Sequence, residues 1–175
     1  MKKILIAGIG NIFLGDDGFG CEVIRQLRPL KLPPSVTAMD FGTRSYNLAY
    51  ALTDGYDAAI LVDAVPRGEK PGTVFLIEPE ISRLSELEAT ALKPHSMNPV
   101  SVLQLAQSVG KVSEKVFLVG CEPAVLEDEK GELELSRPVR AAIPQAVEMI
   151  QLIVAKIVFG SSKGSRTRFD LKGKA

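Results

Sequence analysis

Short apolar runs alternate along the chain with segments whose apolar residues recur at helical spacing. The runs predict five β-strands, at Lys3–Gly8, Val36–Asp40, Asp57–Asp63, Thr73–Glu78 and Lys115–Gly120. The helical stripes predict α-helices at Gly18–Leu30, Ser45–Leu52, Pro99–Val109 and Pro138–Phe159. Alternation of this kind is typical of α/β folds. We therefore predict a three-layer, doubly wound, mostly parallel five-stranded sheet with helices on both faces.

The fourth predicted strand interrupts the alternation. It follows the strand that ends at Asp63 after only a short turn, which contains the sequence PRGEKPG. A parallel connection needs a longer crossover, usually a helix. We therefore expect this strand to be antiparallel to its predecessor or to lie at an edge of the sheet.

Length and charge indicate one folded domain with a basic tail. The chain has 175 residues and no net formal charge, which gives no reason to expect nucleic acid or an anionic membrane as a partner. Residues 1–159 are predicted to form a single α/β domain. Residues 160–175 contain five basic residues and one acidic residue, a net charge of +4, with few apolar side chains. This composition predicts a disordered tail.

The two cysteines, Cys21 and Cys121, are far apart and lack a C-x-x-C spacing, so we expect neither a disulfide framework nor a structural zinc site. Each has apolar neighbours and is predicted to be buried. The first apolar run is too short for a signal peptide, and no window approaches the ~18 apolar residues of a membrane span. A cytoplasmic location is the resulting prediction.

A glycine-rich loop with the sequence GIGNIFLGDDGFG, residues 8–20, follows the first predicted strand. It begins like a dinucleotide-binding loop, but Phe13 occupies the position of the third glycine, and no Gly-Lys-Ser/Thr of a phosphate-binding loop is present. The loop delivers Asp16 and Asp17, whose charges repel phosphate and suit a metal or a cationic partner. In the simpler interpretation, one of the two aspartates caps the following helix.

Three predicted strands lead to an acidic residue at the carboxyl edge of the sheet, where ligands of open α/β folds bind. The first leads to the aspartate pair, the second ends at Asp40 and the third ends at Asp63. An aspartate that closes an apolar strand is costly to desolvate unless it is paired or bound to a ligand. The competing interpretation is that Asp63 caps the next turn.

His95 is the only histidine in the chain, in a loop just before the helix predicted at Pro99. A lone histidine is more often structural or exposed, but this loop can reach the carboxyl edge. One imidazole and two carboxylates form a suitable three-ligand set for a borderline divalent metal. If His95 binds metal, no imidazole remains for a Ser or Cys triad, and the absence of H-E-x-x-H excludes a zincin-type hydrolase.

Five motifs occur in a characteristic order along residues 1–155. They are G-x-G-N-x-x-x-x-D-D-G-x-G at Gly8–Gly20, D-x-G-T at Asp40–Thr43, V-D-A at Val62–Ala64, P-H-S at Pro94–Ser96 and V-G-C-E-P at Val119–Pro123. Together they resemble the [NiFe]-hydrogenase maturation endopeptidases. The tail after residue 159 is outside the resemblance.

The resemblance implies a metal-dependent endopeptidase that removes a short C-terminal extension from a hydrogenase large-subunit precursor after nickel insertion. Carried over by position, it places the metal-contacting and catalytic residues at Asp17, Asp63 and His95, and substrate contacts at Asp40 and Thr43. Nickel is then expected to arrive with the precursor, although other divalent metals could occupy the same ligands. A monomer is favoured, with no nucleic-acid or membrane partner. The group that activates the attacking water stays open.

The chain departs from the family pattern at a few positions. Phe41 stands where a glycine is common, and Arg44 follows Thr43; both are expected near the substrate mouth, where they would tune which precursor is accepted. Cys121 replaces an aliphatic residue and is assigned no role. Of the acidic pair, Asp16 is the better candidate for the helix cap.

Three alternative functions are compatible with the same residues. A nucleotide- or metabolite-binding module predicts nucleotide affinity and indifference to His95→Ala. A nickel chaperone predicts tight metal binding by the isolated protein, for which the chain has few soft ligands. A peptidase of the same fold, such as a spore-protein protease, would differ only in its protein substrate.

Overall fold

A sheet with the strand order β2-β1-β3-β5-β4 forms the centre of the molecule. The computed structural model of the protein describes residues 1–86, 98–113, 115–126 and 133–160. The strands are β1 (Ile4–Ile9), β2 (Val36–Gly42), β3 (Ala58–Ala64), β4 (Val74–Ile77) and β5 (Val116–Cys121). Neighbouring strands are parallel except for β4, which is antiparallel to β5.

Helices cover both faces of this sheet. They are α1 (Phe19–Leu27), α2 (Ser45–Leu52), α3 (Pro99–Val109) and α4 (Arg137–Phe159), with 3₁₀ turns at Gly15–Gly18 and Ile81–Glu86. One apolar cluster joins α1 and α4 to the sheet, and a second joins α2 and α3 to the opposite face. The predicted three-layer, doubly wound α/β fold is therefore confirmed.

The strands at the centre are buried on both faces because helices lie above and below them. Every residue of β1 and β3 is buried, whereas β2 at the edge is mostly half-buried or exposed. Along β1, Ile4 and Ile6 pack toward α1 and α4, and Leu5 and Ala7 pack toward α2 and α3. This explains why β1 reads as a continuous apolar run rather than an alternating one.

Strand β4 lies at the edge of the sheet, which was one of its two predicted placements. It is antiparallel to β5, with Val74 opposite Cys121, and β5 separates it from β3. The buried Glu122 holds the turn that leads into β4, because its carboxylate accepts hydrogen bonds from the backbone N–H of Arg67 at 2.7 Å and of Gly68 at 3.3 Å. No role was predicted for Glu122, although a glutamate that ends a buried strand is a visible signal.

The predicted cap of α1 is wrong. The helix begins at Phe19 after the 3₁₀ turn, and its N-cap residue, Gly18, makes no side-chain capping hydrogen bond. By contrast, α3 begins as predicted, with Pro99 in its first turn and the Asn98 side chain accepting a hydrogen bond from the Val100 N–H at 2.8 Å. Asp16 and Asp17 are thus available for other interactions.

Helix α4 is the one described helix that is long and apolar enough to cross a membrane, with 23 residues and a mean hydropathy of 1.6 over an 18-residue window. Its buried stripe, which includes Val139, Ile143, Ile150 and Val154, belongs to the core shared with α1. The core helix of a globular domain meets the same criterion, so this helix is weak evidence for a membrane span.

Two glycines allow α1 to lie directly against the sheet. A Cβ atom on Gly20 would be 2.2 Å from the Val62 carbonyl oxygen and 2.3 Å from that of Ile9. A Cβ atom on Gly8 would be 2.6 Å from the Gly20 carbonyl oxygen. Side chains at these positions would push the start of α1 away from β1 and β3.

We predict that Gly20→Ala lowers the free energy of unfolding by about 2–3 kcal/mol, because its methyl group would meet backbone atoms that cannot move independently. The measurement is urea unfolding followed by circular dichroism. Gly110→Ala is a milder control because its new Cβ meets chiefly the Thr53 side chain. Equal stability of Gly20→Ala and the wild type would show that α1 can move without cost.

Candidate active site

The acidic loop, defined as residues 11–17, closes on itself at the carboxyl end of β1. The Asp17 Oδ2 atom accepts a hydrogen bond from the Asn11 N–H at 2.6 Å, and the Asp17 N–H donates to the Leu14 carbonyl oxygen at 3.1 Å. Gly10 precedes the loop at φ +124°, and a Cβ atom there would overlap the Asp17 carbonyl oxygen. The loop backbone therefore fixes the Asp17 carboxylate above the sheet edge.

Asp63 is the second-last residue of β3, and its side chain is 3% exposed. Burial raises its pKa well above the ordinary value, the negative charge of Asp17 raises it further, and a hydrogen bond from the Ala64 backbone opposes both effects. Burial also raises the pKa of Asp17, against the hydrogen bond from Asn11. The structure thus brings these two predicted site residues together as a pair of poorly solvated, mutually repelling carboxylates.

The third predicted ligand, His95, lies outside the described residues. Within the ranges that the structure describes, no group of three His, Cys, Asp or Glu side chains is placed to hold a metal. Successive residues of a strand point to opposite faces of the sheet, and the neighbours of Asp63, Val62 and Ala64, pack toward α1 and α4. Asp63 therefore points to the opposite face, which α2 and α3 cover. Helix α3 begins at Pro99, four residues after His95 in the sequence. The three-ligand set stays a prediction.

The predicted substrate contacts lie at the end of β2. Asp40 is half-buried beside Gly8 of β1, and its Oδ1 atom accepts a hydrogen bond from the Gly42 N–H at 2.9 Å. Thr43 is exposed in the following turn. Both are accessible at the carboxyl edge, where a substrate chain could reach them.

The two departures from the family pattern near this turn have structural roles. Phe41 is 4% exposed and belongs to the core beneath α2 and α3, so its side chain supports this edge from below and is not exposed to a substrate. The Arg44 guanidinium donates hydrogen bonds to the carbonyl oxygens of Phe41 and Asp40, at 3.0 and 2.5 Å. These bonds use the Arg44 side chain to hold the turn between β2 and α2.

Asp16 has a role that sequence reasoning missed. It is 1% exposed, and its carboxylate accepts hydrogen bonds from the N–H groups of Ala124 at 2.8 Å, Val125 at 3.2 Å and Ser136 at 2.7 Å. The Ser136 hydroxyl donates a fourth bond at 2.9 Å. Asp16 therefore joins the acidic loop to the segment after β5 and to the N-cap residue of α4.

Cys21 is buried, as predicted, and it lies next to the acidic loop. Its Sγ atom donates a weak hydrogen bond to the Gly10 carbonyl oxygen at 3.4 Å. Burial, a hydrogen bond with Asp40 and the surrounding carboxylate charges raise the thiol pKa to about 12. The thiol is therefore protonated at neutral pH and serves as neither a nucleophile nor a thiolate ligand.

Comparison with known sequences identifies the family. Residues 21–153 match the model of the HycI family, described as hydrogenase maturation protease. The chain is also 34% identical, over 148 residues, to the hydrogenase expression/formation protein HupD of Rhizobium leguminosarum bv. viciae; the match covers 83% of this chain and 71% of that protein. The chain belongs to the hydrogenase maturation protease family. The recognition made from the five motifs is confirmed, and the protein is a hydrolase.

Solved structures of family members share the fold of this protease. The hydrogenase 2 maturation peptidase from Thaumarchaeota archaeon SCGC_AB-539-E09 is 32% identical with a TM-score of 0.67, over 87% of this chain and 98% of that one. The hydrogenase maturating endopeptidase HybD from Escherichia coli is 26% identical with a TM-score of 0.74, over 89% and 94% of the two chains. Both cover most of the domain that contains the acidic loop.

We predict that Asp63→Asn makes the metal-free protease more stable at pH 7. The folded-state pKa of Asp63 lies above the unfolded value, so the folded state loses stability as pH rises from about 3.8 through the raised pKa. The neutral amide removes this cost, and the gain over wild type should shrink as pH falls. Urea unfolding at several pH values measures it, with the exposed Asp54→Asn as control. A destabilised Asp63→Asn variant would contradict the prediction.

Asp16→Ala should have the opposite effect and lower the free energy of unfolding by about 3–5 kcal/mol, because it leaves several donors without their acceptor. Chemical denaturation at pH 7 measures the loss. Asp16→Asn keeps one acceptor oxygen and should fall between Asp16→Ala and the wild type. A loss below about 1 kcal/mol for Asp16→Ala would show that water replaces the carboxylate at these donors.

Proposed function

We propose that this protease removes a short C-terminal extension from the precursor of a [NiFe]-hydrogenase large subunit. The family supplies the reaction class, peptide hydrolysis. The observation that carries the proposal is the pairing of the half-buried Asp17 carboxylate with the buried Asp63 carboxylate, at the edge of the sheet where ligands of this fold class bind. In the described part of the chain, no basic side chain forms an ion pair with either carboxylate.

A cation would relieve the repulsion and desolvation of this pair. Two carboxylates and the imidazole of His95 suit nickel or another borderline divalent metal. We propose that Asp17, Asp63 and His95 contact nickel that belongs to the precursor. Nickel is then part of the substrate, and cleavage depends on whether the precursor has been loaded.

Binding the precursor through its nickel would hold the scissile peptide beside the carboxylates. A water molecule held at this edge attacks the carbonyl carbon, and the peptide C–N bond breaks. The acyl carbon keeps the hydroxyl group, and the proton goes to the leaving amine. Because burial raises the pKa of Asp17 above its ordinary value, this carboxylate is a stronger base than an ordinary aspartate.

Deletion of the gene tests the activity and identifies the partner. The intact masses of all hydrogenase large subunits are measured in the deletion strain and after complementation. We expect one large subunit to stay heavier by a short C-terminal peptide, and wild type but not His95→Ala to restore the mature mass. Normal trimming of every large subunit without the gene would contradict the maturation role.

Purified components test the site itself. We expect wild type to trim the nickel-loaded precursor but not the nickel-free one. Asp63→Asn should reduce the rate by about 100-fold or more, since even outer-shell partners of metal sites cost 10–100-fold. Asp54→Asn, on the exposed surface, should keep the wild-type rate. Nickel transfer without cleavage would indicate a chaperone, and equal trimming of both precursors would remove nickel from recognition.

A further inference from the structure

Three consecutive large apolar side chains are exposed at the top of the acidic loop. Ile12 is 54% exposed, Phe13 65% and Leu14 45%. Single exposed apolar residues are common on protein surfaces, but contiguous patches mark interaction sites. We call Ile12–Leu14 the apolar crest.

The backbone of the crest is held in place by hydrogen bonds. The Asn11 side chain accepts a bond from the Phe13 N–H at 3.0 Å, and the Leu14 N–H donates to the Asn11 carbonyl oxygen at 3.1 Å. The Asn11 N–H in turn donates to the Asp17 carboxylate. The crest is therefore tied to the active-site carboxylate while its side chains face solvent.

A groove of about 580 Å³ lies beside the crest, within the range typical of ligand-binding clefts. Ile12, Gly15 and Gly18 line it from the acidic loop and the overlapping 3₁₀ turn, and Leu133 and Leu135 line it from the segment before α4. The rest of the lining is largely charged, with Glu22, Arg25, Arg28, Glu134 and Arg140. The groove also reaches Asp40, the predicted substrate contact. The groove thus adjoins the crest at Ile12 and the carboxyl edge of the sheet at Asp40.

Asp16 connects the two segments that line the groove. It precedes Asp17 in the acidic loop and accepts both hydrogen bonds from Ser136, the residue after Leu135. The relative position of the two segments is set in the free protein. Because this surface is already ordered, a partner that binds there loses little free energy to ordering it, and this favours affinity.

We propose that the crest and the groove form a docking surface for the hydrogenase large-subunit precursor, and that they receive an extended segment next to its scissile bond that carries both apolar and polar side chains. This inference rests on the proposed function. A polypeptide placed with its scissile bond beside Asp17 must continue across the adjoining surface. The groove reaches Asp40, the predicted substrate contact, and offers Ile12, Leu133 and Leu135 to apolar side chains of that polypeptide. Its charged side chains can contact the polar groups of the same segment.

The test is steady-state processing of the purified, nickel-loaded precursor identified by gene deletion. Phe13→Ser changes an exposed side chain, so we expect the fold to be kept, KM to rise about tenfold and kcat to change little. Leu152→Ser alters a similarly exposed side chain, 62%, on α4 and should keep the wild-type KM. Urea unfolding of both variants confirms that each is folded.

The possible outcomes separate the docking surface from the protease function. If wild type trims the precursor and Phe13→Ser does so with the wild-type KM, the docking surface is overturned and the protease function stands. If wild type trims no precursor, both proposals fail. Sedimentation of the protein alone gives the third outcome: self-association lost in Phe13→Ser would show that the crest binds a second copy of this chain instead.

Discussion

The contact between the start of α1 and the central strands is the constraint on which the active site depends. Gly8 and Gly20 leave room for backbone to touch backbone, and Gly10 lets the chain pass under Asp17. The same need for close packing explains why the loop begins like a dinucleotide-binding turn. The second half of the loop differs in chemistry, because it carries carboxylates to the end of the sheet. On the proposed function, a backbone geometry like that of a phosphate-binding turn supports a site for a cation.

Two adjacent aspartates in this loop have opposite thermodynamic roles. Asp16 is buried and receives four hydrogen bonds, so its charge is compensated and it ties distant segments together. The Asp17 carboxylate accepts a backbone hydrogen bond from Asn11, and with Asp63 it forms a pair whose ionised state is unfavourable. The hydrogen bonds that stabilise this region are thus concentrated on Asp16, one residue before the carboxylate that the proposed function uses.

Local signals predicted most of the fold, and long-range pairing accounts for the errors. The bounds of α2 and α3 follow from their periodicity and from a cap at Asn98, which are properties of neighbouring residues. The strand order could not be obtained this way, because β5 inserts between β3 and β4. Asp63 was recognisable as an acid that closes an apolar strand. The partners of Asp16 lie 108 to 120 residues away, so its local pattern indicated only a helix cap.

On the proposed function, the protease contacts nickel through only three side chains, and this limits how tightly the metal alone can hold the substrate. Two carboxylates and one imidazole, without a thiolate, bind nickel only moderately, so affinity for a protein substrate must come from contacts elsewhere on the surface. The apolar crest and groove can supply them without interacting with the metal. Precursor could then dock whether or not it is loaded, whereas only nickel would bring the scissile peptide to the carboxylates. The metal would control the position of the peptide more than its binding.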